Sequence, residues 1–249
     1  MKNSWIKHDS VTSTNSYVSE LLKQHQMEEG TIVIADYQDG GRGLGDHSWV
    51  SNRGENLLMS LVLFPAFLSA SMQFHLSRVA SLALCDALES IGISPFIKWP
   101  NDILTGKGKI AGILIENGIK AGNITHTIIG IGLNLNQSEF PAFQVPATSL
   151  CLETGNSADV ARTAEIVAAS LMKRYLQLRE GEIRLLEKAY MERLLLAGVP
   201  SLFKSGEEVF EGTIVGVTGF GELMVSCQEE IRTFGHGAVS LQNYKFPSY

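Results

Sequence analysis

Apolar positions along the chain change period several times, and each change marks an element. From Thr14 to Met27, Tyr17, Val18, Leu21 and Leu22 recur at helical spacing behind the candidate caps Ser13 and Thr14, and Gly30 stops the pattern. Thr31 to Gln38 (TIVIADYQ) is β-branched and short, as a buried strand is; Asn56 to Phe64 (NLLMSLVLF) reads as a second strand covered on both faces. Helical periodicity returns from Met72 to Ile91 and ends at Gly92, and Phe96 to Trp99 then enters a loop at Pro100. Between Ile103 and Glu116, Gly106-Lys107-Gly108 separates two apolar runs, a hairpin signal, with Glu116 as an exposed strand end. A turn near Gly122-Asn123 leads to Thr125–Asn136, and Ala158–Leu196 is rich in good helix formers. After Gly198-Val199-Pro200 the texture becomes short strands broken by Gly or Glu-Glu turns, which predicts a small antiparallel barrel. A boundary near Val199 divides the chain into 1–198 and 199–249, with no internal repeat and no low-complexity segment.

Composition narrows the class. Of 249 residues 45% are hydrophobic and 18% charged, which excludes disordered and fibrous chains. The 20 Lys and Arg against 26 Asp and Glu give a net charge of -6, and no basic run offers a nucleic-acid face. Cys85, Cys151 and Cys227 are odd in number, far apart and set in apolar segments, which suits small core residues in a reducing cytoplasm rather than a disulfide framework or zinc site. His8, His25, His47, His75, His126 and His236 show no ligand spacing, so no metal site is expected. The first ten residues lack the apolar core of a signal peptide. The most apolar stretch, Leu57–Met72, is shorter than the ~18 residues of a spanning helix and contains Pro65.

Candidate chemistry sits in four places. Arg42 lies among Gly40, Gly41, Gly43 and Gly45 directly after a strand, where backbone N–H groups and a guanidinium suit an anion; a plain surface hairpin is the alternative. The loop is neither a P-loop nor a glycine-rich dinucleotide fingerprint. Lys98-Trp99-Pro100-Asn101-Asp102 is a stiff bend that holds Asn101 and Asp102 as hydrogen-bonding groups or a base, or else an ordinary Asn-Asp turn. Lys109 opens an apolar strand, where its ammonium can enter a site while its stem lies on the sheet, whereas Lys107 reads as a solvated tip. Gly130 and Gly132 occupy alternate strand positions, which admits a flat ligand or another backbone, or serves core packing alone.

In their order, these segments resemble the biotin protein ligase family. The carriers are Ser13-Thr14-Asn15, Tyr37-Gln38, Gly41-Arg42-Gly43 with Trp49, KWPND at 98–102, KIAGILIE at 109–116, GIGLN at 130–134 and ATSL at 147–150. The run KWPND followed by K-x-A-G-I-L-x-E is the most specific part. The resemblance implies an α+β fold: a mixed β-sheet flanked by helices, of the class II synthetase-like biotin/lipoate ligase type, with a small C-terminal SH3-like β-barrel. It implies a monofunctional enzyme that joins biotin to ATP, releases pyrophosphate, holds biotinyl-5′-AMP and passes biotin to one lysine of a carboxylase's biotin carboxyl carrier domain. Mg²⁺ would enter with the nucleotide.

The same resemblance implies roles. Lys109, Arg42 and Asp102 are the implied catalytic residues: Lys109 neutralises the biotin carboxylate and α-phosphate, Arg42 closes over the phosphate, and Asp102 orients or deprotonates the carrier lysine. Ser13, Thr14, Asn15, Gln38, Gly41, Arg42, Gly43, Leu44, Trp49, Lys109 and Gly112 would surround biotin. Arg42, Asn101, Lys109 and Asn134 would hold ATP, with Asn134 reading adenine. The family's loop is usually GRGRxGRxW. Here Leu44 stands for the second arginine, Asp46 for a glycine and His47 for a further arginine, which implies weaker retention of the adenylate. The chain starts close to the Ser13 helix, so no winged helix-turn-helix and no DNA binding are expected. A lipoate or octanoate enzyme of the same fold and a non-catalytic biotin- or carrier-binding relative are the alternatives. Oligomeric state is open between monomer and homodimer, because an edge strand can pair or stay solvated.

Overall fold

The computed structural model describes residues 4–24, 27–228 and 230–242. Its larger sheet contains β1 (Trp5–His8), β2 (Ile32–Ala35), β3 (Leu57–Leu63), β4 (Phe96–Lys98), β5 (Asp102–Leu104), β6 (Lys109–Lys120) and β7 (Asn123–Leu133). They are ordered β1-β2-β3-β7-β6-β5-β4, and all neighbours are antiparallel except β1 and β2. The helices are α1 (Thr14–Gln24), α2 (Phe74–Glu89), α3 (Leu150–Thr154), α4 (Val160–Arg179) and α5 (Ile183–Arg193), and a 3-10 turn at Ala70–Met72 precedes α2. This is the expected mixed sheet flanked by helices.

Side-chain alternation tells which face each helix covers. On β3, Leu57, Met59, Leu61 and Leu63 join the main core, whereas Val62 joins a smaller cluster with Val18 of α1, Val33 and Ile128. The main core includes residues from α2, α4 and α5, so these helices lie on one face and α1 on the other. On β7, Ile129, Ile131 and Leu133 face the main core. Gly130 and Gly132 therefore point to the α1 face, and the register sets Gly112 of β6 opposite Gly132. That face of the sheet is stripped of side chains where the strands meet, which leaves room above it.

The second sheet comprises β8 (Pro200–Ser205), β9 (Glu208–Val217), β10 (Leu223–Cys227), β11 (Glu230–Phe234) and β12 (Ser240–Leu241), all antiparallel in the order β11-β10-β9-β8-β12. Five antiparallel strands fit an SH3-like unit, but among the described residues no pairing of β11 with β12 closes a barrel. β12 has two residues and bonds only β8. The chain between β11 and β12 instead carries His236 to a cavity above the larger sheet. The two sheets share one core, with Phe203, Ile214, Val217, Leu223, Val225 and Phe234 contiguous with α2 and the larger sheet. Phe74 N–H donates to Gly219 O (3.1 Å) and Trp99 Nε1 to Gly221 O (2.9 Å), fastening the β9–β10 turn to α2 and to the β4–β5 hairpin.

Local departures from expectation have physical causes. β1 is a four-residue edge strand whose residues are exposed or half-buried, so it carries little apolar signal. Only Ile32–Ala35 of the Thr31–Gln38 run is strand, because Asp36 and Tyr37 turn away after pairing with β1 and β3 ends. The Ser13–Met27 helix is described to Gln24; His25 and Gln26 lie outside the described residues. β6 does not stop at Glu116 but continues to Lys120, paired with β7 across a turn whose Ala121 and Gly122 have φ of 50° and 80°.

Candidate active site

A cavity of about 450 Å³ opens on the α1 face of the larger sheet. Its floor is β6 and β7. The alternation places Gly112, Gly130 and Gly132 there, and a methyl group on Gly132 would fall inside the Trp49 ring, one on Gly130 inside the Asn15 amide. The close approach that two alternate glycines permit is thus used by two side chains of the site itself.

At one end, α1 supplies polar groups whose hydrogen bonds form a chain. Gln38 Oε1 accepts from Thr14 N (2.7 Å) and lies 3.1 Å from Thr14 Oγ1. Ser60 Oγ lies 2.7 Å from Thr14 Oγ1 and 2.6 Å from Asn15 Oδ1. Asn15 Nδ2 donates to Glu116 Oε2 at 2.7 Å and to Leu114 O at 3.2 Å. Glu116 in turn receives both Arg42 nitrogens, Nη1 at 3.0 Å and Nη2 at 2.8 Å. Ser13, Thr14, Asn15 and Ser60 are buried, so this chain keeps polar atoms satisfied inside the protein. Glu116 is consequently not the exposed strand end expected from sequence. It lies mid-strand and fixes the one arginine of the glycine loop by a planar, two-bond grip.

The other end is charged. Lys109 Nζ stands 2.6 Å from Asp102 Oδ1, Lys98 Nζ 3.9 Å from Asp102 Oδ2, and Lys109 Nζ 5.6 Å from the centre of the Trp49 ring. Each is placed by the backbone. Lys98 and Asp102 are register partners across the β4–β5 hairpin, whose turn contains the cis peptide Trp99–Pro100. Lys109 begins β6 and is pinned from outside the sheet: its N–H donates to Pro146 O (2.7 Å) and its carbonyl accepts from Thr148 N (2.9 Å). Thr148 O accepts from Asn134 Nδ2 at 3.0 Å, which fixes that amide; Asn134 Oδ1 is buried with no partner. Asn101 Nδ2 donates to Ile113 O at 2.9 Å, and Ile113 N to Asn101 O at 3.0 Å, so the hairpin tip is laced to β6.

Of the residues singled out in the sequence, Ser13, Thr14, Asn15, Gln38, Arg42, Gly43, Leu44, Trp49, Asn101, Asp102, Lys109, Gly112 and Asn134 all line this cavity. Gly41 is behind the wall: its carbonyl accepts from Trp49 N (2.9 Å), and a Cβ there would strike Trp49 O. It shapes the loop without facing the space. Sequence reasoning passed over Lys98 as a lining group, His47, His236 and the apolar wall of Phe140, Phe143 and Val145. The phenylalanines lie in a stretch without periodicity, and His236 arrives from the second sheet, so no local pattern reveals either.

The thiols are elsewhere. Cys85, Cys151 and Cys227 are free and none lines the cavity. Burial pushes Cys85 and Cys227 above the ordinary thiol range, and Cys151 Sγ donates to Asn136 O at 3.2 Å. Among the described residues no group of three or more His, Cys, Asp or Glu is arranged to hold a metal, and no helix is long and apolar enough to cross a membrane.

Comparison with known proteins adds the family. The profile of the Biotin/lipoate A/B protein ligase family matches residues 8–134. The chain is 34% identical over 234 residues to the bifunctional ligase/repressor BirA of Bacillus subtilis, covering 91% of this chain and 70% of that protein. It is 31% identical over 221 residues to the biotin--[acetyl-CoA-carboxylase] ligase of Paracoccus denitrificans, covering 85% and 91%. The fold is similar to a biotin protein ligase from Aquifex aeolicus in complex with biotin and ATP, with TM-score 0.79, 28% identity and coverage of 96% and 98%. With its sheet, its KWPND hairpin and its lysine-aspartate pair accounted for, the chain belongs to the biotin/lipoate A/B protein ligase family.

Proposed function

We propose that this protein is a biotin protein ligase. In the first step a biotin carboxylate oxygen attacks the α-phosphorus of ATP, the bond to the β-phosphate oxygen breaks, and pyrophosphate leaves. In the second, the ε-amine of a carrier-domain lysine attacks the acyl carbon of biotinyl-5′-AMP; AMP leaves and the amine loses a proton. The observation that carries this reading is Lys109 held 2.6 Å from Asp102 on the floor of a cavity that is polar at one end and charged at the other.

Two anions must meet in the first step, and Lys109 is the cation placed between them. Arg42 and the N–H groups around Gly43 would cover the phosphate, with Glu116 holding the solvent-accessible Arg42 at the cavity mouth. Ser13, Thr14, Asn15 and Gln38 would bind the polar ring of biotin, while Trp49 above Gly112 and Gly132 gives its carbon tail an apolar wall; Leu44 adds to that wall. Asn134 and Asn101 would serve the nucleotide, with Phe140 and Phe143 as flat apolar surfaces for a base. Asp102 would receive the carrier lysine's proton or orient its amine once the charge beside Lys109 has changed. Mg²⁺ would be a companion of the nucleotide: Asp102 is the only lining carboxylate among the described residues and is already paired with lysines, so the protein offers no cage of its own. We assign the chemistry to residues 1–198, with 199–249 as a smaller C-terminal domain, and a carboxylase acceptor would put the activity in the cytoplasm.

Biotin-dependent exchange of labelled pyrophosphate into ATP tests this, with lipoate as the paired acid. Exchange with biotin and not with lipoate is expected. Exchange with lipoate alone would move the assignment to the lipoate branch, and binding of biotin without exchange would make this a non-catalytic relative.

A further inference from the structure

Arg78, on α2, is a buried cation that the chemistry above leaves idle. It is 2% exposed and does not line the cavity, so a ligand bound there has no direct contact with it. Its guanidinium joins three elements. On α2, Nη1 lies 3.0 Å from His75 Nδ1, and the guanidinium carbon is 5.1 Å from the centre of the Phe74 ring. On α5, Glu187 Oε1 is 3.7 Å away and the Tyr190 ring centre 6.0 Å. At the end of β9, Nη2 donates to Val217 O and, at 3.4 Å, to Thr218 O. Glu187 is long-range and half-exposed, so this ion pair offsets little of the cost of burying the charge. What the guanidinium supplies, and an apolar side chain cannot, is a fixed place for two backbone carbonyls.

Resting on the ligase reading, we propose that Arg78 is a positioning residue for the Asp102–Lys109 pair, acting through the β9–β10 turn and Trp99. Thr218 to Glu222 form a closed unit. Thr218 N donates to Glu222 O (2.9 Å), Glu222 N to Thr218 Oγ1 (3.0 Å) and Gly221 N to Thr218 O (3.1 Å). Arg78 holds the entry to this unit, and Phe74 N–H holds Gly219 O at 3.1 Å. The turn sits flush on the start of α2: a methyl group on Gly219 would come within 2.9 Å of Ser71 O, and one on Gly221 within 2.6 Å of the Phe74 ring. Its far side, Gly221 O, accepts from Trp99 Nε1 at 2.9 Å. Arg78 and Trp99 thus grip one five-residue unit from opposite sides.

The β4–β5 hairpin needs such an outside support. Each of its strands has three residues, and β4 is the edge of the larger sheet. Few ladder bonds resist a rotation of so short a hairpin. Its inner side is tied to β6 by the two Asn101–Ile113 bonds. Its outer side is tied by Leu195 N to Ile97 O (2.8 Å) and, at the tip, by Trp99. Without the Trp99 tie the tip can turn about Asn101, and Asp102, the next residue, moves with it. Lys109 does not follow, because Pro146 and Thr148 set its backbone independently. The 2.6 Å contact between Asp102 and Lys109 therefore depends on the second sheet keeping its turn in place.

The test uses the full chain. Arg78→Met keeps much of the apolar volume and removes the carbonyl donors, whereas Arg78→Lys keeps the charge with fewer donors. The first readout is the Trp99 indole N–H in nitrogen-edited NMR spectra, its peak identified by its loss in Trp99→Phe. Slow exchange with deuterium is expected in the wild type, and exchange at least roughly tenfold faster in Arg78→Met, with Arg78→Lys in between. The second readout is kcat and KM in pyrophosphate exchange, taken well below each protein's melting temperature. Arg78→Met and Trp99→Phe should each lower kcat by roughly tenfold to a hundredfold, the cost of shifting reacting groups by up to ~1 Å. KM for biotin should be unmoved, since α1 carries the biotin end. In the double variant the loss should equal the larger single loss rather than the product of the two. Unchanged Trp99 protection in a folded Arg78→Met, wild-type kcat in Trp99→Phe, or multiplying losses in the double variant would each overturn the proposal. If Arg78→Met does not fold, Arg78→Lys and Trp99→Phe carry the same comparison. Absence of wild-type exchange alongside Arg78-dependent protection of Trp99 would instead overturn the ligase reading and keep the Arg78–Trp99 connection.

Discussion

Replacing Lys109 by alanine isolates the adenylation step. Its ammonium is 2.6 Å from Asp102 Oδ1 and 5.6 Å from the Trp49 ring, with only 29% of the side chain exposed. When a carboxylate attacks a phosphate, negative charge gathers where the two meet. A fixed donor removed from such a place costs about 3 kcal/mol of transition-state stabilisation, roughly a hundredfold or more in rate. The fold should lose far less. Asp102 keeps Lys98 at 3.9 Å and is itself partly solvated, so the pair falls between exposed and buried ion pairs at about 1–2 kcal/mol. The assay is biotin-dependent pyrophosphate exchange beside a thermal melt. A drop of two orders of magnitude in exchange with a folded, biotin-binding protein is expected, and Lys109→Arg should recover part of it. Exchange in Lys109→Ala within a fewfold of wild type would refute the placement of Lys109 at the reacting phosphate and leave it an ion-pair partner of Asp102 only.

Three further outcomes are expected. Leu44→Arg should slow release of biotinyl-5′-AMP by roughly tenfold through one added charge-assisted contact, measured by adenylate retention after dilution; an unchanged off-rate removes loop charge as the determinant of retention. Gly132→Ala should displace the Trp49 ring and cost about 1–3 kcal/mol in stability together with biotin affinity, since the new methyl occupies the ring's place; calorimetry showing neither loss would mean that Trp49 has another seat. His75, buried on α2 with Arg78 Nη1 3.0 Å from its Nδ1, has its pKa lowered by burial and then by Arg78. The unfolded chain therefore takes up a proton near the ordinary value of 6.5 that the folded protein refuses, and stability falls as pH drops below that value. His75→Asn keeps an acceptor for Arg78 and should flatten the slope in denaturant melts between pH 5 and 7; an unchanged slope assigns it to other groups.

Much of the scaffold was legible because it is written in local period. β3 is apolar at every position except Ser60 and buried throughout, and α2 repeats its apolar residues at helical spacing. Gly106-Lys107-Gly108 marked the β5–β6 hairpin for the same reason: a tight reversal needs particular residues at particular places. Two of the catalytic candidates were legible for a different reason. Asp102 and Lys109 lie within one hairpin and the next strand, so a short stretch of sequence already contains most of the charged end of the site.

What the chain alone determined, then, is whatever depends on neighbours in sequence: the strands and helices, the KWPND turn, the stripped glycine face and the residue types available for chemistry. Tertiary structure decided what depends on residues brought together from afar. It turned Glu116 from an apparent strand end into the anchor of Arg42, 74 positions away, and joined Thr14, Ser60 and Asn15 into one hydrogen-bonded chain. It also left the second sheet unclosed among the described residues, and it brought His236, on the loop after β11, to the cavity. Such contacts have no period and no spacing, because packing, register and loop closure set them rather than the conformational preference of any single residue.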